Sequence, residues 1–344
     1  MSYNILPKNN NDIIIEPCVT SSRCTIFKSS SFLNLYLTKQ AELERTINMI
    51  GLEQVNKVVN TINISDYICN NLNQSIVGSH NTQSHIFFDL IEISTNLNLI
   101  DLIKNSDNCL HVSNNCSDTI KFVNYCDKEN IHNNECTNFD YLDTLSNIKF
   151  EFCFIEITSD NVQNPQNYLI QIVKSLFLII NCLKKGSLLI LKIDYLFYKP
   201  VIDLLYILSC IFEKTYITKP STSNVLSFEK YVVCKNLIST ELKTSFYDTN
   251  FMQKLNDPIS HLISLINEPV PCYFINKITE IDVMLGQIVL ESMHDFVNII
   301  HNNNKNDKIE IVKKNNIQKA NVWCNKYKPQ GLALTERRNI FLTT

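Results

Sequence analysis

The sequence has little glycine, and the few glycines are isolated from one another. Only five occur among the 344 residues, at positions 51, 78, 186, 286 and 331. Nucleotide-binding turns of the GxGxxG and GxxxxGK[ST] types need clustered glycines, because a residue without a side chain lets the backbone approach a phosphate closely. The sequence therefore excludes both of these phosphate-binding motifs.

Cysteines and histidines with metal-ligand spacing are also missing. The thirteen cysteines are scattered without a CxxC pair, and no Cys/His cluster has the spacing of a structural metal site. Several cysteines lie inside apolar segments, which is typical of reduced, buried thiols. We therefore predict no metal ion and a cytoplasmic location.

Long hydrophobic runs and a basic net charge are absent too. The most apolar helix candidate, 168–183, is shorter than the ~20 residues that a membrane span needs, and it contains Gln171 and Lys174. Residues 1–11 are polar and asparagine-rich, unlike a secretion signal. The formal net charge of −3 argues against strong nonspecific nucleic-acid binding but permits a local binding cleft. We predict no membrane segment.

The chain does contain a series of buried-strand and helix signals. The apolar run FEFCFI, residues 150–155, predicts a strand and is followed by Glu156. Helical spacing of apolar residues over 169–183 leads to a second apolar run, LLIL at 188–191, which is followed by Lys192. This alternation predicts an α/β fold with a doubly wound, mostly parallel sheet.

A strand, a loop and another strand complete the series. The β-prone segments 215–218 and 231–234 flank the loop KPSTSNVLSFEK, which places Glu229 at the entrance of the second strand. These segments predict an antiparallel last hairpin. By itself, Glu229 is equally compatible with an ordinary exposed carboxylate at a strand edge.

Lys192 is a candidate catalytic residue because of its place after a strand. Open α/β sheets bind ligands beyond the carboxyl ends of their strands, and partial burial there changes the pKa of an ammonium group. A lysine at a strand end that extends to the surface is the alternative interpretation.

Taken together, FEFCFIE, LLILKI and KPSTSNVLSFEKYVV resemble the FtsJ/RrmJ-type ribose 2′-O-methyltransferases, in particular the cap methyltransferase-like proteins of large DNA viruses. Family sequences have FDLVLSD, FVVKV and KPxSSR followed by SxExYIV in the same order. The resemblance implies a Rossmann-like methyltransferase fold, S-adenosylmethionine as cofactor and RNA as substrate, with capped mRNA as the specific form.

The resemblance also implies roles for individual residues. Lys192 would be the base or the polarising group at the ribose 2′-hydroxyl, Glu229 would orient that lysine, and Glu156 would occupy the position of the family's aspartate. A glutamate there is a departure, since the extra methylene displaces the carboxylate. The loop residues predicted to contact substrate are Lys219, Ser221 and Ser223.

The cofactor half of the family pattern is altered. We predict the first strand at 85–90, with Asp89 as a cofactor-binding residue, followed by Ile91 to Asn96 where the family has its glycines. Branched side chains there would fill the cofactor space and disfavour positive φ. Asn138 lies near the family's adenine-binding position, and Asp140 and Asp143 are the alternatives for that role.

A further departure is the family's first catalytic lysine. The stretch 65–74, where it is expected, has no lysine; Lys57 and Lys39 are available only with a stretched spacing. With the altered cofactor strand, this suggests a degenerate site.

The predicted organisation has three consecutive parts: a polar, irregular arm at 1–30, the methyltransferase-like domain with amino-terminal helices at 31–238, and a helical appendix at 239–344. Two functions remain open. The chain is an active RNA 2′-O-methyltransferase, or it is a catalytically inactive relative that serves as a binding or scaffold subunit in a viral transcription, capping or virion complex. In the second case the carboxyl-terminal helices would bind a protein partner.

Overall fold

A computed structural model describes the fold of residues 3–9, 13–21, 31–50, 52–73, 85–126, 132–136, 148–158, 165–239, 243–244, 261–301 and 306–327. The chain divides into two compact units. The sheet unit comprises Met1–Ser31, Ile100–Lys219 and Phe228–Gly286; the helical unit comprises Phe32–Leu99, Pro220–Ser227 and Gln287–Thr344. The three consecutive domains stay a prediction, because spatial grouping does not test whether a stretch of chain folds alone.

The strands and helices follow each other in the order expected of an α/β chain. The strands are β1 (Asn4–Ile5), β2 (Ile14–Thr20), β3 (Asn108–Val112), β4 (His132–Cys136), β5 (Phe150–Glu156), β6 (Leu183–Ile193), β7 (Phe212–Thr218), β8 (Lys230–Leu237), β9 (Lys243–Thr244) and β10 (His261–Ile266). The helices are α1 (Ser31–Met49), α2 (Leu52–Ile62), α3 (Ile64–Asn73), α4 (Ile86–Asn96), α5 (Ile100–Lys104), α6 (Ser117–Cys126), α7 (Gln166–Cys182), α8 (Lys199–Ile211), α9 (Cys272–His301) and α10 (Asn306–Tyr327).

The main sheet has seven described strands in the order β1-β7-β8-β6-β5-β3-β4. Strands β4, β3, β5 and β6 are parallel, and β8 is antiparallel to both β6 and β7. Strand β7 therefore runs in the direction of β6. This topology confirms the predicted α/β class, the mostly parallel sheet and the antiparallel last hairpin.

Continuous apolar sequences form the centre of this sheet because both of its faces are covered there. In β5 the side chains from Phe152 to Ile155 are all buried, and in β6 so are those from Leu188 to Leu191. Helices α7 and α8 contribute to the same hydrophobic cluster as Ile155, Leu189 and Leu191. Burial of these side chains holds β5 and β6 in place, so the positions of their carboxyl ends are fixed as well.

The amino-terminal arm is not irregular where the structure describes it. Strand β1 pairs with β7 in the main sheet, and β2 pairs with β10 and β9 in a second sheet of three described strands. Buried Leu6, Ile13 and Ile15 contribute to the hydrophobic core. The prediction of an irregular arm is therefore wrong for these stretches, whose pairing partners lie far along the chain.

Part of the predicted helical appendix is also a strand. The segment HLISLI, 261–266, forms β10 rather than a helix, and its residue Leu265 donates a backbone N–H to Asp203 at 2.9 Å. Periodicity alone does not separate a short apolar strand from a buried helix segment. Hydrogen bonding with β2 makes this segment a strand. Residues Lys243–Thr244 also form a strand, β9, whereas helices α9 and α10 agree with the helical prediction.

The predicted first strand is a helix. Residues 86–96 form α4, and every residue of it from Ile86 to Ser94 is buried. A short apolar stretch such as IFFDLI does not by itself distinguish a strand from a buried helix segment, which explains the wrong assignment. The first parallel strand of the sheet is β3, which begins at Asn108.

Helix α9 is the one described helix that is long and apolar enough, by length and composition, to cross a membrane. Its 18-residue window has a mean hydropathy of 1.2 and is 50% buried. The buried core helix of a protein meets the same criteria, so this is weak evidence for a membrane span.

Candidate active site

Three predicted catalytic residues meet at the carboxyl end of two neighbouring parallel strands. Glu156 ends β5 directly beside Lys192 of β6, and Glu229 immediately precedes β8 on the other side of β6. The Lys192 Nζ lies 2.8 Å from Glu156 Oε1 and 3.0 Å from Glu229 Oε2. Their side chains are only 7%, 13% and 6% exposed for Lys192, Glu156 and Glu229, respectively. The three residues thus form one buried ionic cluster.

This cluster keeps the lysine charged. Burial by itself lowers the pKa of Lys192, but the negative charges of Glu229 and Glu156, with their hydrogen bonds, outweigh burial and raise the pKa well above its usual value. At neutral pH the Nζ is therefore an ammonium group, which donates hydrogen bonds and stabilises negative charge. It has no lone pair with which to accept a proton.

Ser113 extends the cluster to β3 and was missed by the sequence interpretation. Its hydroxyl donates a short hydrogen bond to Glu156 Oε2, and its backbone N–H donates to the carbonyl of Cys136 at 3.2 Å. Ser113 directly follows β3, so a polar residue after a strand was the available signal. The short strand NCLHV carries too many polar residues for that signal to be recognised.

The turn between β3 and α6 is the place in this fold where a nucleotide-like cofactor would meet the backbone. It has the sequence SNNC, 113–116, without glycine. Asn115 donates its N–H to Ser113 Oγ at 3.2 Å, and its side-chain oxygen accepts the N–H of Ser117 at 3.0 Å. The non-glycine residues with positive φ in the described chain are Asn98 and Asn236, both outside this turn. The turn is therefore held by side-chain hydrogen bonds and lacks the glycine-type backbone approach.

Glu135, at the end of β4, lies beside the same turn. Burial, followed by the negative charge of Glu135, raises the pKa of the Cys116 thiol to about 11. In doubly wound nucleotide-binding folds an acidic residue roughly 20 positions after the turn binds the ribose hydroxyls. The exposed Glu135 has this spacing from Ser113. The residues present therefore fit the ribose part of an adenosyl group, and Glu135 with the 113–116 turn would hold it.

The predicted cofactor residue Asp89 is not at a strand end. It lies on α4 and is completely buried; its carboxylate accepts a short hydrogen bond from the Thr222 hydroxyl and is 3.6 Å from His85 Nε2. The strand on which its assignment depended is wrong, so that argument no longer supports a cofactor role. The other predicted cofactor residue, Asn138, and its two alternatives lie outside the described residues.

Lys219, predicted to contact substrate, is buried and donates its Nζ to the backbone carbonyl of Glu229 at 3.1 Å. This bond ties the end of β7 to the residue that holds Lys192. Its direct contact with a substrate stays a prediction.

Ser221 and Ser223, the other two predicted substrate residues, make internal hydrogen bonds. Ser221 donates its Oγ to Glu92 Oε2 at 2.8 Å and its N–H to Glu92 Oε1 at 3.3 Å. Ser223 donates its Oγ to the carbonyl of Pro220 at 2.7 Å. These bonds shape the loop, and a role in binding RNA remains a prediction.

The two lysines considered for the family's first catalytic position lie on helices of the helical unit. Lys39 is on α1 and pairs with Glu42 at 2.7 Å, as a partly exposed helix charge does. Lys57 is on α2. Neither observation gives either lysine a catalytic role.

The strand order and the Lys192 cluster define a Rossmann-like α/β fold of the methyltransferase type. The family model of the FtsJ-like methyltransferases matches residues 110–237. The match begins within β3 and ends with β8, and it covers less than half of the chain. Among proteins with curated functions, none matches the sequence.

Several solved structures resemble this one. A putative ribosomal RNA methyltransferase from Plasmodium falciparum has 15% identity and a TM-score of 0.36, with 46% of this chain and 100% of that chain covered. Haemonchus contortus phosphoethanolamine N-methyltransferase 2, in complex with S-adenosyl-L-methionine, has 13% identity and a TM-score of 0.30, with 45% and 39% covered. An O-methyltransferase family protein from Burkholderia thailandensis has 5% identity and a TM-score of 0.28, with 62% and 74% covered. TM-scores this low carry no argument about function.

Proposed function

We propose that the chain is an S-adenosylmethionine-dependent RNA 2′-O-ribose methyltransferase. The observation that carries this proposal is the buried cluster in which Lys192 contacts both Glu156 and Glu229 at the carboxyl end of β5 and β6. Ligands of doubly wound sheets bind at this edge. The FtsJ-like match over residues 110–237 supports the reaction class.

The raised pKa of Lys192 determines its role in this proposal. An ammonium group cannot take the proton of a ribose hydroxyl, so Lys192 polarises the hydroxyl oxygen and stabilises the negative charge that develops on it. Glu229 holds the Nζ in place. Glu156 is the more exposed carboxylate and is oriented by Ser113. In this proposal Glu156 accepts the proton that leaves the ribose hydroxyl.

The cofactor, when bound, supplies an electrophilic methyl group attached to sulfur. The chain's part is to position the hydroxyl and neutralise its charge, which is how enzymes achieve much of their rate in group transfer.

RNA is the substrate class in this proposal, with a capped messenger RNA as the specific form and the cytoplasm as the location. Next to the cluster, Tyr195 stacks on Phe197 at 5.7 Å between ring centroids, and Phe228 lies 6.1 Å from Tyr195. Tyr195 is partly exposed, and aromatic faces of this kind stack on unpaired bases. Comparing methylation of capped and uncapped RNA of the same sequence tests whether the substrate must carry a cap.

Titration calorimetry with S-adenosylmethionine and its demethylated product tests the proposal directly. We expect binding by the wild-type protein, about tenfold weaker binding by Glu135→Ala because a ribose contact is lost, and unchanged binding by Lys192→Met. The matched control is Glu213→Ala, which removes an exposed carboxylate at the opposite end of the sheet. The absence of measurable binding at millimolar ligand would overturn the enzyme proposal.

A scaffold function is the second candidate, and exposed apolar residues on α10 favour it. Ile311 and Val322 are 57% and 66% exposed, and their eleven-residue spacing places them on one helix face. Two exposed apolar side chains on one helix face are suited to contact with a protein partner, such as a subunit of a viral transcription, capping or virion complex.

This candidate predicts that Ile311→Lys with Val322→Lys removes a co-purifying partner while the protein stays folded. Asn321→Lys is the control, since this exposed polar position lies about a quarter turn around the helix from Ile311 and Val322. Unchanged recovery of the partner would count against this surface. Point changes are preferable to deleting 239–344, because Leu265 and Ile266 are part of the core.

A further inference from the structure

A buried lysine lies next to the candidate active site and takes no part in the chemistry proposed above. Lys230 directly follows Glu229 and is 2% exposed. Its Nζ donates to the backbone carbonyl of Asp194 at 2.8 Å and lies 3.4 Å from Oδ1 of Asp282, a buried residue of α9. The same Nζ is 5.7 Å from the centre of the Phe228 ring.

These contacts hold the backbone on both sides of the Lys192 cluster. In the pairing of β6 with β8, Lys192 is opposite Tyr231 and Ile193 is opposite Lys230. The Lys230 Nζ thus bonds to the residue just beyond β6, while its own backbone adjoins Glu229. A shift of this lysine would move Glu229 relative to Lys192.

Stability alone is a poor explanation for this ion pair. Burying two charges costs more solvation energy than a typical pair regains, and apolar residues of similar volume are often as stable or more stable. Asp282 also lies outside the stretch that matches the FtsJ-like family, 110–237. Helix α9 therefore adds a contact to the active-site edge from beyond the matched domain.

We propose that Asp282 is a positioning residue: through Lys230 it fixes the segments around Asp194 and Glu229, so that Glu229 stays in contact with Lys192. Its effect on methyl transfer rests on the proposed function. Its effect on the Lys192 contact does not, and the two are measured separately.

Reactivity of the lysines measures the contact without any activity. The full-length protein is treated with a trace of labelled acetic anhydride at pH 9, and each lysine is quantified by peptide mass spectrometry. Asp282→Asn is expected to raise acetylation of Lys192 about fivefold, because a lysine that loses a carboxylate contact is less often protonated. Lys184, which is 58% exposed and pairs with Glu151, is the internal reference and should not change. Unchanged reactivity of Lys192 would overturn the proposal.

A double variant separates positioning from folding. Lys230→Met with Asp282→Leu replaces the pair by apolar side chains and is expected to keep the protein folded, as judged by circular dichroism and thermal unfolding. If Lys192 remains more reactive in this folded variant, the pair positions the cluster. If its reactivity returns to the wild-type value, the pair serves folding only and the proposal is wrong.

The kinetic arm applies once methyl transfer is measured. Asp282→Asn should lower kcat about tenfold and leave both KM for RNA and Kd for the cofactor unchanged, since misplacing a catalytic group affects the chemical step. A failure of cofactor binding would refute the proposed function, while the acetylation result would still decide the positioning role.

Discussion

Lys192→Met is expected to lower the free energy of unfolding by about 3–5 kcal/mol at pH 8, because removing one member of a buried ionic cluster leaves uncompensated charge. In this variant Glu156 and Glu229 face each other's negative charge without the cation that lies 2.8 Å and 3.0 Å from them in the wild type. The loss is measured by urea denaturation followed by circular dichroism. Lys184→Met is the control; it removes an exposed partner of Glu151 and should cost less than about 1 kcal/mol.

The same loss should be smaller at pH 5.5. Without Lys192 the two buried carboxylates repel each other, and acid removes this repulsion because a protonated carboxyl group carries no charge. The variant therefore regains stability at low pH. In the wild type the pKa of Lys192 is itself raised, so its contribution is complete below the unfolded value of about 10.4 and is lost only as the pH rises through the higher folded value. An equal loss at both pH values would contradict the cluster.

Lys192→Ala carries the corresponding prediction for catalysis. Methyl transfer to RNA should be abolished, while the affinity for S-adenosylmethionine stays close to that of the wild type, because the cofactor residues proposed above lie around the 113–116 turn. Wild-type activity in this variant would remove Lys192 from the mechanism.

Trp323→Ala is expected to destabilise the helical unit by about 3–5 kcal/mol, the usual cost of truncating a buried aromatic residue. Trp323 is 4% exposed and packs edge-on against Phe88, with 5.7 Å between ring centroids. Its Nε1 donates to Glu92 Oε2 at 2.9 Å. Denaturation followed by circular dichroism measures the effect, and a loss below about 1 kcal/mol would show that α10 is not anchored here.

Trp323→Phe and Glu92→Gln separate packing from the hydrogen bond. Phenylalanine keeps most of the packing but leaves Glu92 without the indole donor, so an intermediate loss of about 1–3 kcal/mol is expected.

Burial raises the pKa of Glu92, against hydrogen bonds from Trp323 and Ser221 that lower it. Since the folded pKa is above the unfolded one, wild-type stability should fall as the pH rises from about 4.3 through the folded value. Glu92→Gln should lack this fall, and the single tryptophan provides the fluorescence signal.

The sequence predicted the central strands correctly, and it placed Glu156, Lys192 and Glu229 near one another, because both features depend on local patterns. The apolar runs before Glu156 and Lys192 are strands buried by the helices around them, so their carboxyl ends coincide at one edge of the sheet. Glu229 joins them because the hairpin β7–β8 returns its chain to β6. The order of the elements thus implied that the ends of β5, β6 and β8 that carry these three residues lie side by side.

The cofactor side could not be read in the same way. Helix α4 is buried on all sides and resembles a strand in sequence, while the true first strand, β3, contains His111 and Asn108 and does not resemble a buried one. Ser113 and Glu135 were missed as a result, although both lie where a nucleotide-binding sheet places functional residues.

By itself, the sequence determined the α/β class and the positions of Glu156, Lys192 and Glu229 at strand ends, because strand burial and element order depend on consecutive residues. Only the tertiary structure decided that arm residues 4–5 and 14–20 are strands, that β10 is not a helix, and that Asp282 reaches Lys230. The physical reason is that a backbone edge or a buried charge is satisfied by whichever partner lies beside it in space, and these partners are 52 or more positions away along the chain.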